Sequence, residues 1–394
     1  MLKKKIKELS EKYFDQTVAN RRYLHQHPEL SFHEYNTVKF VASKLDELGI
    51  SYKSMANTGL VALLKGNKTS EKVVALRGDM DALPITELND VPYKSSINGV
   101  MHACGHDAHT ASLLGCAYIL NELKNDFSGT VKFIFQPAEE KLPGGASQMI
   151  KEGVLNNPIP NAIIGQHVMP LIETGKVGFR PGKYMASTDE IYVTVKGKGG
   201  HGAMPNLNID PILITSHIII ALQQIVSRNA DPKTPSVLSF GKIMGMGATN
   251  VIPNEVLLEG TFRTMDEKWR TEAHTKMKKM AEMMAESMGG TCEFNIVRGY
   301  PFLVNEPELT EQLRKNAEEY LGAENVVDLD IWMAAEDFAY FSQEKSACFY
   351  RLGTRNEKRG ITSSVHTPTF DIDESSLLIG SGLMAYLAVK NLGN

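Results

Sequence analysis

The stretch Met101-His102-Ala103-Cys104-Gly105-His106-Asp107 decides how this chain is read. It sets a thiol and an imidazole two residues apart, in a glycine-containing turn just before a helical pattern. Cysteine, histidine and carboxylate side chains are the usual ligands of zinc and related divalent ions. One Cys-x-His pair is weak by itself. It gains weight because further candidate ligands follow strand-like runs. Glu139 and Glu140 follow residues 131–136, His167 follows 162–166, and His366 follows a loop near the C-terminus. Ligands scattered in sequence but sited at strand ends are what an α/β metallohydrolase requires, because such folds place their sites at the carboxyl ends of sheet strands.

Working outward, short apolar runs at 60–65, 73–77, 131–135 and 162–165 alternate with helical patterns such as 108–123. This predicts a mostly parallel, buried sheet with helices on both faces. Residues 3–25 predict one amphipathic helix and 35–48 a second. From residue 189 the order changes to strand 191–196, helix 211–228, strand 237–243, strand 255–263, helix 267–287 and strand 292–298. That is βαββαβ, the ferredoxin-like split motif. The fold class is therefore α/β with an inserted ferredoxin-like lid domain. The expected boundaries are 1–183 and 299–394 for a discontinuous catalytic domain, and 184–298 for the lid. A length of 394 residues favours two domains over one core.

Composition narrows the function classes. The net charge of −4 argues against nucleic acid as the main partner. No run is read as reaching the ~18 apolar residues of a membrane span, and the basic N-terminus lacks the apolar stretch of a signal peptide. Four cysteines without paired spacing suit a reducing compartment, so the expected location is cytoplasmic. Cys116, Cys292 and Cys348 read as core or surface residues, and His25, His27 and His33 as a turn and helix-boundary cluster.

Cys104, His106, one carboxylate of the Glu139–Glu140 pair, His167 and His366 exceed the three protein ligands usual for one catalytic zinc. Two metals about 3.5–4 Å apart, sharing ligands, fit that count better. Adjacent side chains on extended backbone point apart. One of Glu139 and Glu140 could then bind metal while the other faces substrate as general base. Asp79 and Asp81, after the 73–77 strand, read as groups that orient histidine ligands. Asp107 reads as an imidazole orienter or a helix cap.

Several motifs carry a resemblance that spans almost the whole chain in order. They are Arg22 to Ser31, Arg77 to Pro84, His102 to His109, Gln136 to Glu140, Gly165 to His167, Gly199 to Ala203 and Ala335 to Phe338. With these the chain resembles the metal-dependent aminoacylase and carboxypeptidase superfamily. More narrowly, it resembles the bacterial N-acyl-amino-acid amidohydrolases that include hippurate hydrolase, and the plant hydrolases of auxin–amino acid conjugates. The resemblance implies Cys104, His106, Glu140, His167 and His366 as dinuclear metal ligands and Glu139 as general base, with Asp81 in support. It implies His201, in the Gly-rich loop 197–202, as an electrophile for the oxyanion when the lid closes. It implies Asn250 and Arg263 as binders of the substrate carboxylate. Where the wider superfamily has His-x-Asp, this chain has Asp79-Met80-Asp81, which leaves manganese, zinc, cobalt and nickel open as the two divalent ions.

The expected activity is hydrolysis of N-acyl-L-amino acids. The alternatives are a dipeptidase or carboxypeptidase on the same scaffold, a thiol hydrolase with Cys104 as nucleophile and His106 or His109 as base, and a non-catalytic metal- or amino-acid-binding module. The expected partners are a small-molecule substrate and a second copy of the chain through the lid, with no nucleic acid and no membrane.

Overall fold

The computed structural model describes residues 1–393. The chain divides into two compact units: Met1–Tyr184 with Val304–Ile331 and Asp337–Asn394, and Met185–Leu303 with Trp332–Glu336. The second unit therefore departs from 184–298 at its C-terminal side and gains the short piece at 332–336. The reason is local. Met185 bridges to Trp332, and the Ala186 amide donates to the carbonyls of Trp332 and Ala334 at 3.2 and 3.1 Å.

The first unit is built on an eight-stranded sheet. In spatial order its strands are Tyr52–Met55, Gly59–Lys65, Ser128–Gln136, Lys68–Asp79, Ala162–Glu173, Ala347–Arg355, Val177–Phe179 and Val326–Asp328. The three pairings among the four central strands are parallel, and antiparallel strands lie towards either edge. The helix His106–Glu122 is buried from His106 to Leu120. A helix apolar all round must lie inside, and here the helices Phe14–Gln26 and Ser376–Asn391 pack against it. The approach is close at Gly115, where a Cβ would come within 2.7 Å of Ser381 and 2.8 Å of Thr17.

Two expectations change. The single helix over 3–25 is two, Leu2–Lys12 and Phe14–Gln26. Tyr13 interrupts it, stacking on Tyr118 and donating its hydroxyl to Glu122. The strand expected to stop before His167 runs on to Glu173, because Ala347–Arg355 keeps pairing with it beyond that point. His167 is therefore inside a strand, not after it. The helical segment Pro211–Asn229 is long and apolar enough, by length and composition alone, to cross a membrane, yet Thr215, Ser216, His217, Gln223, Gln224, Ser227 and Arg228 interrupt it, so it is no continuous apolar run. One face of the segment, with Ile214, Ile218, Leu222 and Ile225, lies in the core of its unit.

The second unit carries an antiparallel sheet in the order Ser236–Met244, Glu255–Thr264, Asp189–Lys196, Thr291–Arg298. With the helices Pro211–Leu222 and Glu267–Ser287 this is the ferredoxin-like βαββαβ arrangement. Asp210 and Asp266 cap the two helices, accepting from Ile212 and Trp269 amides at 2.8 Å each, a contribution of about 1 kcal/mol apiece. Ile191, Val193, Ile214, Leu258, Phe262, Met277 and Phe294 form its core.

Candidate metal centre

Cys104 and His106 flank Gly105, whose φ of +86° begins the helix His106–Glu122. A Cβ at Gly105 would lie 2.5 Å from Val168 Cγ2, so the turn needs glycine on two counts, its backbone angle and its space. Across from it the strand Ala162–Glu173 presents His167, and the Cys104 Sγ to His167 Nε2 distance is 3.5 Å. The loop carrying His366 is fixed by its amide donating to the Ala103 carbonyl at 2.7 Å. His366 itself sits at φ +61°, a costly conformation for a residue with a side chain. Its Nε2 lies 3.3 Å from Cys104 Sγ and 3.2 Å from Glu140 Oε1.

Ligand-type atoms of Cys104, His106 and His167 all lie within 4.8 Å of one another, and so do those of Cys104, Glu140 and His366. The structure thus brings all five candidate ligands together as two triads sharing one sulfur. His106, Glu139 and Glu140 form a third such group. That third group corrects one expectation. The two glutamates converge instead of pointing apart, because Ala138 at φ +50° ends the extended backbone immediately before them.

The surroundings set which imidazole nitrogen faces inward. His106 Nδ1 pairs with Asp81 Oδ1 at 3.1 Å. His167 Nδ1 donates to the Val168 carbonyl at 2.7 Å. Each therefore presents Nε2 towards the cluster, the arrangement by which outer groups orient metal-binding histidines. His106 Nε2 is buried with no hydrogen-bond partner. A buried polar atom left unpaired is costly, and one facing a thiol and a carboxylate is what a cation between them would satisfy. The electrostatics agree. Hydrogen bonds to Cys104 and Glu140 push His366 up to about 10. Burial opposes protonation of His106, yet Asp79 and Cys104 hold its pKa well above the usual value. A field that binds protons this firmly also favours a divalent ion.

Asp81, fully buried, accepts from the amides of Glu139 and Glu140 at 3.0 Å each and from Ser31 Oγ at 2.6 Å. Burial works to raise its pKa, but the hydrogen bond from His106 leads the contacts that lower it. Glu139 Oε1 accepts a long 3.4 Å bond from the Asp337 amide.

His109 has a role that spacing alone concealed. Its Nδ1 pairs with Asp79 Oδ1 at 2.6 Å and its Nε2 accepts from the Val168 amide at 2.8 Å. Both nitrogens are committed, which leaves it none with which to activate Cys104. Burial also pushes the Cys104 thiol up, the opposite of an activated nucleophile. Asp107 does not cap its helix; it takes Arg21 Nε at 2.8 Å and His25 Nδ1 at 2.7 Å. His25, in the last turn of helix Phe14–Gln26, is accordingly a buried bridge from Asp107 to Glu87. Cys116 and Cys348 are buried free thiols, and Cys292 is a partly buried one.

In the second unit, His201 pairs with Val251 in a two-residue ribbon, and the Asn250 carbonyl accepts the Gly202 amide at 2.8 Å. His201 and Asn250 are exposed neighbours. The Ala203 amide donates to His201 Nδ1 at 3.1 Å, which assigns the imidazole proton to Nε2. Arg263 is partly buried, bonded through Nε to Thr261 at 3.2 Å, and its burial lowers its pKa.

An α/β sheet that gathers two sulfur-sharing triads, joined to a ferredoxin-like unit, defines a class of metal-dependent hydrolase. Comparison with known proteins makes this specific: residues 75–390 match the model of peptidase family M20/M25/M40, and the chain belongs to that family. It is 40% identical to thermostable carboxypeptidase 2 of Saccharolobus solfataricus, over 99% of this chain and 98% of the relative. It is 38% identical to N-acetylcysteine deacetylase of Bacillus subtilis, over 97% and 98%. Among solved structures it is similar to a dinuclear metal-binding M20 peptidase from Bacillus subtilis, with a TM-score of 0.83 and 35% identity over 97% of this chain and 99% of that one.

Proposed function

We propose that the protein hydrolyses the amide bond of N-acyl-L-amino acids, using two divalent ions held by Cys104, His106, Glu140, His167 and His366. The observation that carries this reading is the pair of triads sharing Cys104, with the Glu139 carboxylate beside them. Bound ions would supply an acidified water and a Lewis acid for the scissile carbonyl. Manganese or zinc is the proposed pair, with cobalt and nickel as the other ions to test.

Glu139 takes the proton of the attacking water and delivers it to the leaving amine nitrogen. Its position next to Glu140 puts base and ligand on one short loop. His201 donates from Nε2 to the oxygen on which negative charge develops; the Ala203 amide on Nδ1 fixes the tautomer that can do so. Arg263 and Asn250 hold the free carboxylate of the amino acid, the guanidinium by its planar fork. Asp81 keeps His106 and the Glu139–Glu140 amides in register. Ile212, Leu213 and Ile220, exposed on one helix of the second unit, support assembly of two copies through that unit, which molar mass by light scattering would check.

A second reading is favoured by one observation: a relative at 40% identity is named a carboxypeptidase. The same groups would then cleave a C-terminal residue from a peptide. The experiment that separates the two strips the metal, restores manganese, zinc, cobalt or nickel, and assays N-acyl amino acids beside dipeptides. Metal-restored turnover of acetyl, benzoyl or longer N-acyl amino acids is expected. Turnover confined to peptides would replace the first reading with the second. Turnover of neither class with any ion would leave a binding module.

A further inference from the structure

The segment after residue 31 contains a buried carboxylate that the reaction as described does not use. Glu34 is wholly inaccessible and precedes the helix Tyr35–Glu47. Its Oε1 accepts the Ala138 amide at 2.7 Å and the Phe32 amide at 3.1 Å, and its Oε2 accepts the Thr58 hydroxyl at 2.6 Å. Ala138 is the left-handed residue that turns the chain so that the two glutamates converge. Three successive amides, those of Ala138, Glu139 and Glu140, are therefore held by two buried carboxylates: Glu34 takes the first and Asp81 the other two. An alanine has no intrinsic preference for φ > 0. Two contacts hold it there: its carbonyl accepts the Gly145 amide at 2.9 Å, and its own amide donates to Glu34, the only side chain of the two.

We propose that Glu34 is a positioning residue for Glu139, acting by pinning the Ala138 amide so that the following carboxylate stays at the metal centre. The inference rests on the reading of Glu139 as general base. The chemistry of the contact asks only for an acceptor at Oε1. Glutamine keeps that acceptor, and its amide can donate to the Thr58 hydroxyl. Aspartate keeps the charge but is one carbon too short to reach Ala138.

The test compares Glu34→Asp, Glu34→Gln and Glu34→Ala in the metal-loaded full chain. Three quantities are read: kcat and KM separately, bound metal per chain, and hydrogen exchange of the 138–140 amides. Since misplacement of a catalytic group by about 1 Å can cost up to 10²-fold, kcat of Glu34→Asp should fall by roughly 30-fold. Its KM and metal content should stay near wild type, and its 138–140 amides should exchange faster. Glu34→Gln should restore slow exchange and most of kcat, which a role for the charge itself would not allow. Glu34→Ala should match Glu34→Asp if it folds; the aspartate variant decides the matter if it does not. Wild-type kcat and exchange in Glu34→Asp would overturn the proposal, as would activity lost only in step with metal. An inactive wild type with every N-acyl amino acid would instead be a failure of the underlying functional reading.

Discussion

The two units solve opposite problems with the same kinds of side chain. In the first, Cys104, His106 and His167 are buried, and the groups behind them are themselves inaccessible. In the second, His201 and Asn250 stand exposed on a short ribbon. In the first unit, Glu140 beside the buried ligands is partly buried and His366 exposed, so the dry part of the cluster is the part whose orienting charges act most strongly. Groups that meet a substrate gain by remaining open until it is bound. The second unit nevertheless has its own buried charge, Asp189, which takes Arg270 at 2.7 Å and His274 at 2.6 Å. There the polar network holds the fold, and the side chains proposed to meet substrate stay at the surface.

Substitutions can break this contrast. The largest effect is expected for Glu139→Gln, with kcat reduced by about 10⁴-fold, the upper range for a general base, and metal content unchanged by elemental analysis. Loss of metal together with activity would instead make Glu139 a ligand. Next is Arg270→Met, which should cost about 3 kcal/mol, the lower end for breaking a buried pair, because Asp189 keeps only His274 as its partner. Chemical denaturation would measure it, and the metal content of the folded protein should not change.

Acid probes the same pair. Burial works to raise the Asp189 pKa, but His274 and Arg270 outweigh it and hold it below the usual carboxylate value. Its stabilising contribution is therefore full above the unfolded value, about 4, and is lost as pH falls through the folded value. In Arg270→Met that acid-dependent slope should shrink, as unfolding curves at several pH values would reveal. His201→Ala should lower kcat by about 10²–10³-fold, the measured range for one oxyanion donor, with no change in metal affinity. The smallest effect is expected for Asp81→Asn, weakening metal binding by about 10–100-fold, as outer-group substitutions do. A competition titration against a chelator would show it. If His201→Ala lost metal and Asp81→Asn kept it, the assignment of roles to the two units would be reversed.

How much of this was legible in the sequence depends on the range of the interaction. The ferredoxin-like order was readable because each element carries its own signal: helix Glu267–Ser287 starts at the capping Asp266 and ends before a glycine pair. The candidate ligands around the start of helix His106–Glu122 and after strand Ser128–Gln136 were readable for the same reason. What was not readable depended on partners remote in sequence. His109 is committed by Asp79, 30 residues away, and Ala138 by Glu34, 104 residues away. The convergence of Glu139 and Glu140 needed a left-handed alanine, which no propensity suggests. The strand through His167 ran long because Ala347–Arg355, distant in sequence, continued to pair with it.

Gly105 gears two parts of the metal centre together. The missing side chain between Cys104 and His106 is the space that Val168 occupies, next to His167. Neither segment can drift without pushing the other, so three ligands move as one rigid piece or not at all. Change at this turn is therefore ordered. A residue with a Cβ at position 105 becomes tolerable only after Val168 has shrunk and the backbone has left φ +86°.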